Sequence, residues 1–185
     1  MNEVEAIKDE AILKAIPSML LKRGRIQTSR AWEFQLQVAT RITDTLNIKF
    51  TDIKNNRLVI REKKTGKTKD VLLNDKALKI IDDIKRDHPT HIYLFQSYKS
   101  NNTKNKPPKP LTRQAISSDL KHISDLLDTH INTHSARKTR GYFLHQQADI
   151  TRVMKMLNHS SVAHTMRYIG LTQDDLDQDS INLVL

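Results

Sequence analysis

Cysteine is absent from the 185 residues, which excludes a disulfide framework and thiolate chemistry and fits a reducing compartment. No apolar run approaches the length that crosses a bilayer. The opening Met1-Asn2-Glu3-Val4-Glu5 is acidic and polar, unlike a secretory signal, so the sequence predicts a cytoplasmic chain. Internal repeats are missing too. Lysine and arginine are missing from residues 169–185, where Asp174, Asp175, Asp177 and Asp179 precede the apolar Ile181, Leu183, Val184 and Leu185. That gap concentrates the basic charge elsewhere. The whole chain carries 31 Lys and Arg against 21 Asp and Glu, a net +10; without the tail the count is 31 against 17. Such a surplus points to a polyanionic partner, most simply nucleic acid, although charge alone would also attract an acidic membrane surface.

The length suits one domain with a real core and is short for two. Helical spacing begins at Asp9–Leu21, with Pro17 expected to interrupt it, and is followed by the basic Lys22-Arg23-Gly24-Arg25. Thr28 or Ser29 is placed to cap a helix reaching about Leu46, burying Trp32, Leu36, Ala39 and Leu46. The period then switches. Arg57–Lys63 and Lys69–Leu73 read as two strands of a hairpin, with Gly66 in the turn Lys64-Thr65-Gly66-Lys67. Asn74 caps a helix with Ala77, Leu78, Ile81 and Ile84 on its buried stripe, ended by His88-Pro89. Residues 96–110 form a long polar loop, after which Thr112 restarts helix with Ala115, Ile116, Leu120, Ile123 and Leu127 inward. Further helices start near Thr133 or His134, after Asp149 (Ile150, Val153, Met154 and Leu157 inward) and after Ser160. The expected fold is mainly α with one small antiparallel β-sheet.

Two tempting motifs fail. Gly66-Lys67-Thr68 resembles the end of a phosphate-binding loop, but Arg61 stands where the first glycine is required, and the flanks are a hairpin rather than strand and helix. His130 and His134 have the four-residue spacing of a zinc helix, yet no glutamate follows His130 and no cysteine exists to complete a site, so no metal and no cofactor is expected.

A different set of residues carries chemistry. His134-Ser135-Ala136-Arg137 places an imidazole and a guanidinium three residues apart, side by side on a helix. His159 follows Arg137 by 22 residues within Leu157-Asn158-His159-Ser160-Ser161, and Tyr168 follows nine later, ending Thr165-Met166-Arg167-Tyr168. Upstream lie Arg41-Ile42-Thr43-Asp44 and, on the hairpin turn, Lys64. The order Arg, Lys, His-x-x-Arg, His, Tyr resembles the signature of the tyrosine recombinase, or phage integrase, family. Asp44 matches the acidic residue three after the first arginine, and Lys64 matches the Lys-Thr-Gly turn. Two positions depart from the pattern, Ala39 and Asn158 standing where the family prefers glycine. Asn tolerates the left-handed conformation, so the second change is mild. The matched region runs from about Thr28 to Ile169. The resemblance therefore implies one catalytic domain over 1–185, made of an N-terminal helix and basic linker (1–27), a catalytic core (28–169) and an acidic-then-apolar tail (170–185). On this reading the family's separate N-terminal core-binding domain is not expected among these residues, which then correspond either to an excised catalytic part or to a short form.

What the resemblance implies is DNA strand cleavage and rejoining through a 3′-phosphotyrosine, with Tyr168 as nucleophile. A phenol is a competent nucleophile, and two guanidiniums, Arg41 and Arg137, grip a phosphate in bidentate fashion. Lys64 is then the expected acid for the leaving oxygen, with Lys63 and Lys67 as alternatives on the same turn, while His134 handles the tyrosine proton and His159 donates to the phosphate. Candidate DNA contacts are Lys22, Arg23, Arg25, Arg30, Lys67, Arg113 and Gln114, with the lysines of the 99–109 loop equally readable as solvated. The implied partners are double-stranded DNA and, on it, other copies in a tetramer, the chain being monomeric without DNA; the tail either docks on a neighbour or folds back. The implied setting is a bacterial nucleoid, and the role is integration or excision of a phage or mobile element. A binding-only relative, a topoisomerase and a telomere resolvase are the competing functions.

Overall fold

Asp9 opens the first helix by accepting the amides of Ala11 and Ile12 on its carboxylate, and α1 (Glu10–Lys22) then runs unbroken through Pro17. The expected interruption does not occur. A proline removes a single ladder hydrogen bond, and Ile16 and Leu20, both fully buried, hold the helix on either side of it. The computed structural model describes residues 5–97, 107–182 and 184. Most of the polar loop, Leu183 and Leu185 lie outside the described residues.

The long second helix is instead two. α2 (Ile26–Val38) ends at Ala39, which adopts the left-handed conformation (φ 51°), and α3 (Ile42–Leu46) begins after Arg41 at its N-cap. Thr28 and Ser29 cap nothing; buried within α2, they donate to Asp119 (2.6 Å) and to the Pro17 carbonyl. The break is stabilised by Gln35, whose buried amide donates to the Thr40 carbonyl at 2.9 Å. Apolar periodicity could not register this break, because Ala39, Ile42 and Leu46 are all buried across it.

The sheet has order β1-β2-β3, all antiparallel: β1 (Ile53–Lys54), β2 (Arg57–Arg61) and β3 (Thr68–Leu72). The hairpin expected from sequence is β2–β3, in register from Arg57↔Leu72 to Arg61↔Thr68. The extra strand β1 is too short for any period and joins β2 through Asn55 and Asn56, both at positive φ as a tight hairpin turn requires.

Asn74, Thr112, Asp149 and Ser161 cap α4 (Asp75–Asp87), α5 (Arg113–Leu127), α7 (Ile150–Met156) and α8 (Val162–Ile169) through side-chain oxygens. Between them lies α6 (Ser135–His145), and α9 (Gln173–Asn182) ends the chain. Ile116, Leu120 and Ile123 form the inward stripe of α5, whereas Ala115 turns out to be exposed. α2 sits centrally, packed on α1, α4 and α6.

Two cores result. The larger joins α1 to α5 and the sheet, with Trp32, Phe34, Leu58, Phe95 and Leu120 among its members. The smaller gathers Ala39, Val153, Leu157 and Ile169, with Tyr142 and Tyr168 packed against it. The candidate site lies where the two meet.

Candidate active site

Arg137, the third residue of α6, is only 1% exposed. Its guanidinium donates to the carbonyls of Ala39 and Leu157, each at 2.5 Å, so one side chain ties the α2–α3 break to the loop that carries His159. Ala39 can be the acceptor because its left-handed backbone swings its carbonyl away from the helix; an alanine there meets a preference that glycine serves more cheaply. Asn158, the other departure from the family pattern, is also left-handed (φ 52°), as its tolerance for that conformation implied.

Arg41 and Arg137 are brought together by a carboxylate that no motif in the sequence singles out. Glu62, just past β2 and 1% exposed, lies 2.9 Å from Nη1 of Arg41 and 3.9 Å from Nη1 of Arg137. Burial pushes the Glu62 carboxyl up, but the Thr65 hydroxyl and then Arg41 outweigh it and hold the group below the usual carboxylate range. Asp44 returns the grip: its Oδ1 accepts the Lys63 amide at 2.9 Å. The start of α3 and the base of the hairpin thus clasp each other through Arg41–Glu62 and Asp44–Lys63.

Tyr168, on α8, is half-buried beside this cluster. Its ring meets His159 edge-on (centroids 4.9 Å apart, 87°), with the Arg137 guanidinium 5.9 Å and the Lys138 ammonium 5.0 Å from the ring centre. Burial raises the phenol above its ordinary value, opposed by Arg137 and Arg41. His159 is oriented through Nδ1, 3.2 Å from the Thr165 hydroxyl one turn before Tyr168. Burial first, then Arg137 and His164, push its imidazole down to about 3, so it is neutral. His134, the N-cap of α6, is pushed down in the same direction by burial and then by Arg113, Arg137 and Lys138.

The predicted set is therefore gathered with one exception in degree. Arg41, Arg137, His159 and Tyr168 form one contact network, and His134 feels the same cations; Lys64 stands exposed at the tip of the hairpin turn. The lysine buried next to the cluster is Lys69 on β3, 4% exposed, whose ammonium donates to the Met156 carbonyl. Burial and then Arg137 push it down to about 8. With Lys67 Nζ to the Asn158 carbonyl and Asn158 Nδ2 to the Thr68 carbonyl, it laces the hairpin to the His159 loop. Glu62 and Lys69 were illegible in sequence because charged residues on a strand read as solvent-facing; the alternation with Leu58 and Ile60 on one face was the only signal, and it is partial.

Of the candidate DNA contacts, Lys22, Arg23, Arg113 and Gln114 are exposed, and Arg113 lies near enough to His134 to influence its charge. Arg25 and Arg30 are paired, with Asp119 (3.1 Å) and Asp87 (2.5 Å). The lysines at 99, 104 and 106 lie outside the described residues. The tail begins on its own domain: Asp175 of α9 pairs with Lys8 at 3.1 Å. Farther on, Ile181 and Val184 are exposed.

A mostly helical domain with a three-stranded antiparallel sheet and this topology is the fold of tyrosine recombinase catalytic domains. It superposes on the XerA recombinase with a TM-score of 0.76 (15% identity, 100% of this chain, 66% of that one) and on lambda integrase bound to a core site with a TM-score of 0.74 (15% identity, 94% and 63%). Residues 4–174 match the phage integrase family, and the chain belongs to it. Among curated relatives, the probable integrase/recombinase YoeC of Bacillus subtilis is 29% identical over 177 residues, 94% of this chain and 93% of that protein. The putative integrase/recombinase y4qK of Sinorhizobium fredii is 29% identical over 136 residues, only 42% of its length. Among the described residues no helix is long and apolar enough to cross a membrane.

Proposed function

We propose that this protein is a site-specific DNA recombinase that cleaves and rejoins strands through a 3′-phosphotyrosine at Tyr168, serving the integration or excision of a mobile element. The observation that carries this reading is the convergence on Arg137: a buried guanidinium beside the Tyr168 ring shares Glu62 with Arg41 and holds the carbonyl two residues before His159.

In the step envisaged, the Tyr168 oxygen attacks the scissile phosphorus and loses its proton to a neutral imidazole, for which His134 is the candidate. A new phosphorus–oxygen bond forms, the bond to the 5′ oxygen breaks, and that oxygen takes a proton from Lys64. Charge building on the non-bridging oxygens is met by Arg41 and Arg137, preorganised by their shared approach to the buried Glu62. His159, neutral in the free protein, supplies a further contact to the phosphate. The reverse reaction with a different 5′ hydroxyl exchanges strands, and the bond energy is kept in the phosphotyrosine. Lys64 is exposed in the free protein, where it is accessible to a bound strand.

Relatives of the same fold have been seen as a dimer on a core site and as a tetramer on a Holliday junction, both for lambda integrase. The reading extends this to the present chain: assembly on DNA, helped by the exposed Ile181 and Val184 at the end of an otherwise acidic tail.

The test is trapping on nicked duplex substrates at low salt. A denaturation-resistant adduct at the 3′ phosphate, abolished in Tyr168→Phe, is the expected result. An adduct that survives in Tyr168→Phe would assign the nucleophile elsewhere, and DNA binding with no adduct on any substrate would favour a binding-only relative.

A further inference from the structure

Two guanidiniums side by side in a site of low dielectric repel each other and pay a large desolvation cost, and a free protein needs an internal anion to keep them there. Glu62 is that anion. Its side chain has no solvent exposure, one oxygen lies against Nη1 of Arg41 and faces Arg137, and the other accepts the Thr65 hydroxyl at 2.8 Å. Its backbone closes the turn at both ends, donating to the Lys67 carbonyl (2.9 Å) and accepting from the Gly66 amide (2.8 Å). No other described carboxylate pairs with Arg41, since Asp44 is engaged by the Lys63 amide.

We infer that Glu62 is a positioning residue for the phosphate site: it is the built-in counter-anion of Arg41 and Arg137, and through Thr65 it fixes the Lys64 turn to that pair. This rests on the recombinase reading above. A phosphate entering the site shares both guanidiniums with a carboxylate already in place. Glu62 therefore weakens ground-state phosphate binding while holding the arginines where charge develops in the transition state, which is the condition for raising the rate rather than the affinity. The Thr65 link couples the position of the turn to that of Arg41, because the hydroxyl that anchors the turn bonds the carboxylate that anchors the guanidinium.

The experiment compares wild type, Glu62→Gln and Thr65→Val in two assays. The first is titration with inorganic phosphate, followed by the side-chain Nε–H signals of Arg41 and Arg137 in NMR spectra. The second is the rate of adduct formation on a nicked duplex that wild type cleaves. Glu62→Gln keeps the shape and an acceptor for Thr65 but removes the charge. It is expected to bind phosphate about threefold or more tighter, as loss of a competing buried charge implies, and to form adduct about tenfold or more slowly, as misplaced catalytic groups do. Thr65→Val is expected to leave phosphate affinity unchanged and to slow adduct formation by a smaller factor.

Opposite movement of affinity and rate in Glu62→Gln supports the assignment. Both parameters at wild-type values, or both falling together in a folded variant, would overturn it. If Glu62→Gln does not unfold cooperatively, Thr65→Val decides alone: a wild-type adduct rate in that variant removes the proposed link. Should wild type itself form no adduct, the recombinase reading fails, while the phosphate titration still tests the counter-anion.

Discussion

A guanidinium that is 1% exposed must find partners on every side, because moving an ion of that size out of water costs several kcal/mol even after relaxation. Arg137 finds them in two carbonyls and one carboxylate, each from a different part of the chain. The same economy of water governs the imidazoles nearby. His159 stays neutral down to about 3 in the folded protein, and His134 is shifted the same way, whereas unfolded histidines titrate near 6.5. In the interval between, the unfolded chain binds protons that the folded chain refuses. The stability these histidines contribute is thus fully present above about pH 6.5 and is lost progressively as pH falls towards the folded value. Urea midpoints should be lower at about pH 5 than at about pH 7.5, and the difference should shrink in His159→Gln. An unchanged difference in that variant would mean that other groups, carboxylates above all, set the acid limit.

At the scale of elements, the position of Tyr168 depends on how closely α8 approaches α6. Gly141 makes the approach possible: a Cβ added there would stand 2.7 Å from Cγ2 of Ile169, the residue following the tyrosine. The contact is with a buried, branched side chain in the small core, which has little room to yield. Gly141→Ala is expected to destabilise the fold by about 1–3 kcal/mol through overpacking, measured by chemical denaturation, and to slow adduct formation by moving α8. A variant as stable and as active as wild type would show that α8 shifts without cost. Stability lost with the adduct rate kept would separate the tyrosine's placement from this packing. The hairpin is the second element that matters. It is joined to α3 by Asp44 and Glu62 and to the His159 loop by Lys67, Lys69 and Asn158, so it is a beam between two halves of the site rather than a free arm.

For the whole molecule the net charge of +10 is a statement about partners, and its use depends on which cations remain unpaired. Arg30 is held by Asp87 and Arg25 by Asp119, whereas Arg113 is exposed at the start of α5, close to His134. Binding to duplex DNA should weaken linearly with the logarithm of salt concentration, and Arg113→Gln should reduce that slope by about 1, the value for one lost phosphate contact. Arg30→Gln should leave it unchanged. Fluorescence anisotropy across a salt series would show this, and an equal loss of slope in Arg30→Gln would mean that its ion pair opens on DNA.

The starts of α4, α5 and α7 were legible from local pattern, since Asn74, Thr112 and Asp149 act through bonds to amides two or three residues away. The order and spacing of Arg41, Lys64, His134, Arg137, His159 and Tyr168 were likewise sufficient to recognise the family. The strand Ile53–Lys54, though paired locally with Arg57–Leu58, is too short to show a period. The break at Ala39 and the continuity of α1 through Pro17 were not legible, because each is held by packing against segments distant in sequence. The same holds for Glu62 and Lys69. A charged residue beside a hairpin turn is locally a surface residue, and only the tertiary fold, by closing α3, α6 and the His159 loop over the hairpin, removed the water and made each one part of the site. Sequence by itself determined which chemical groups are present and in what order. Which of them are buried together, and which carboxylate stands between the two arginines, was decided by long-range packing, because burial is a property of the assembled surface and not of the chain.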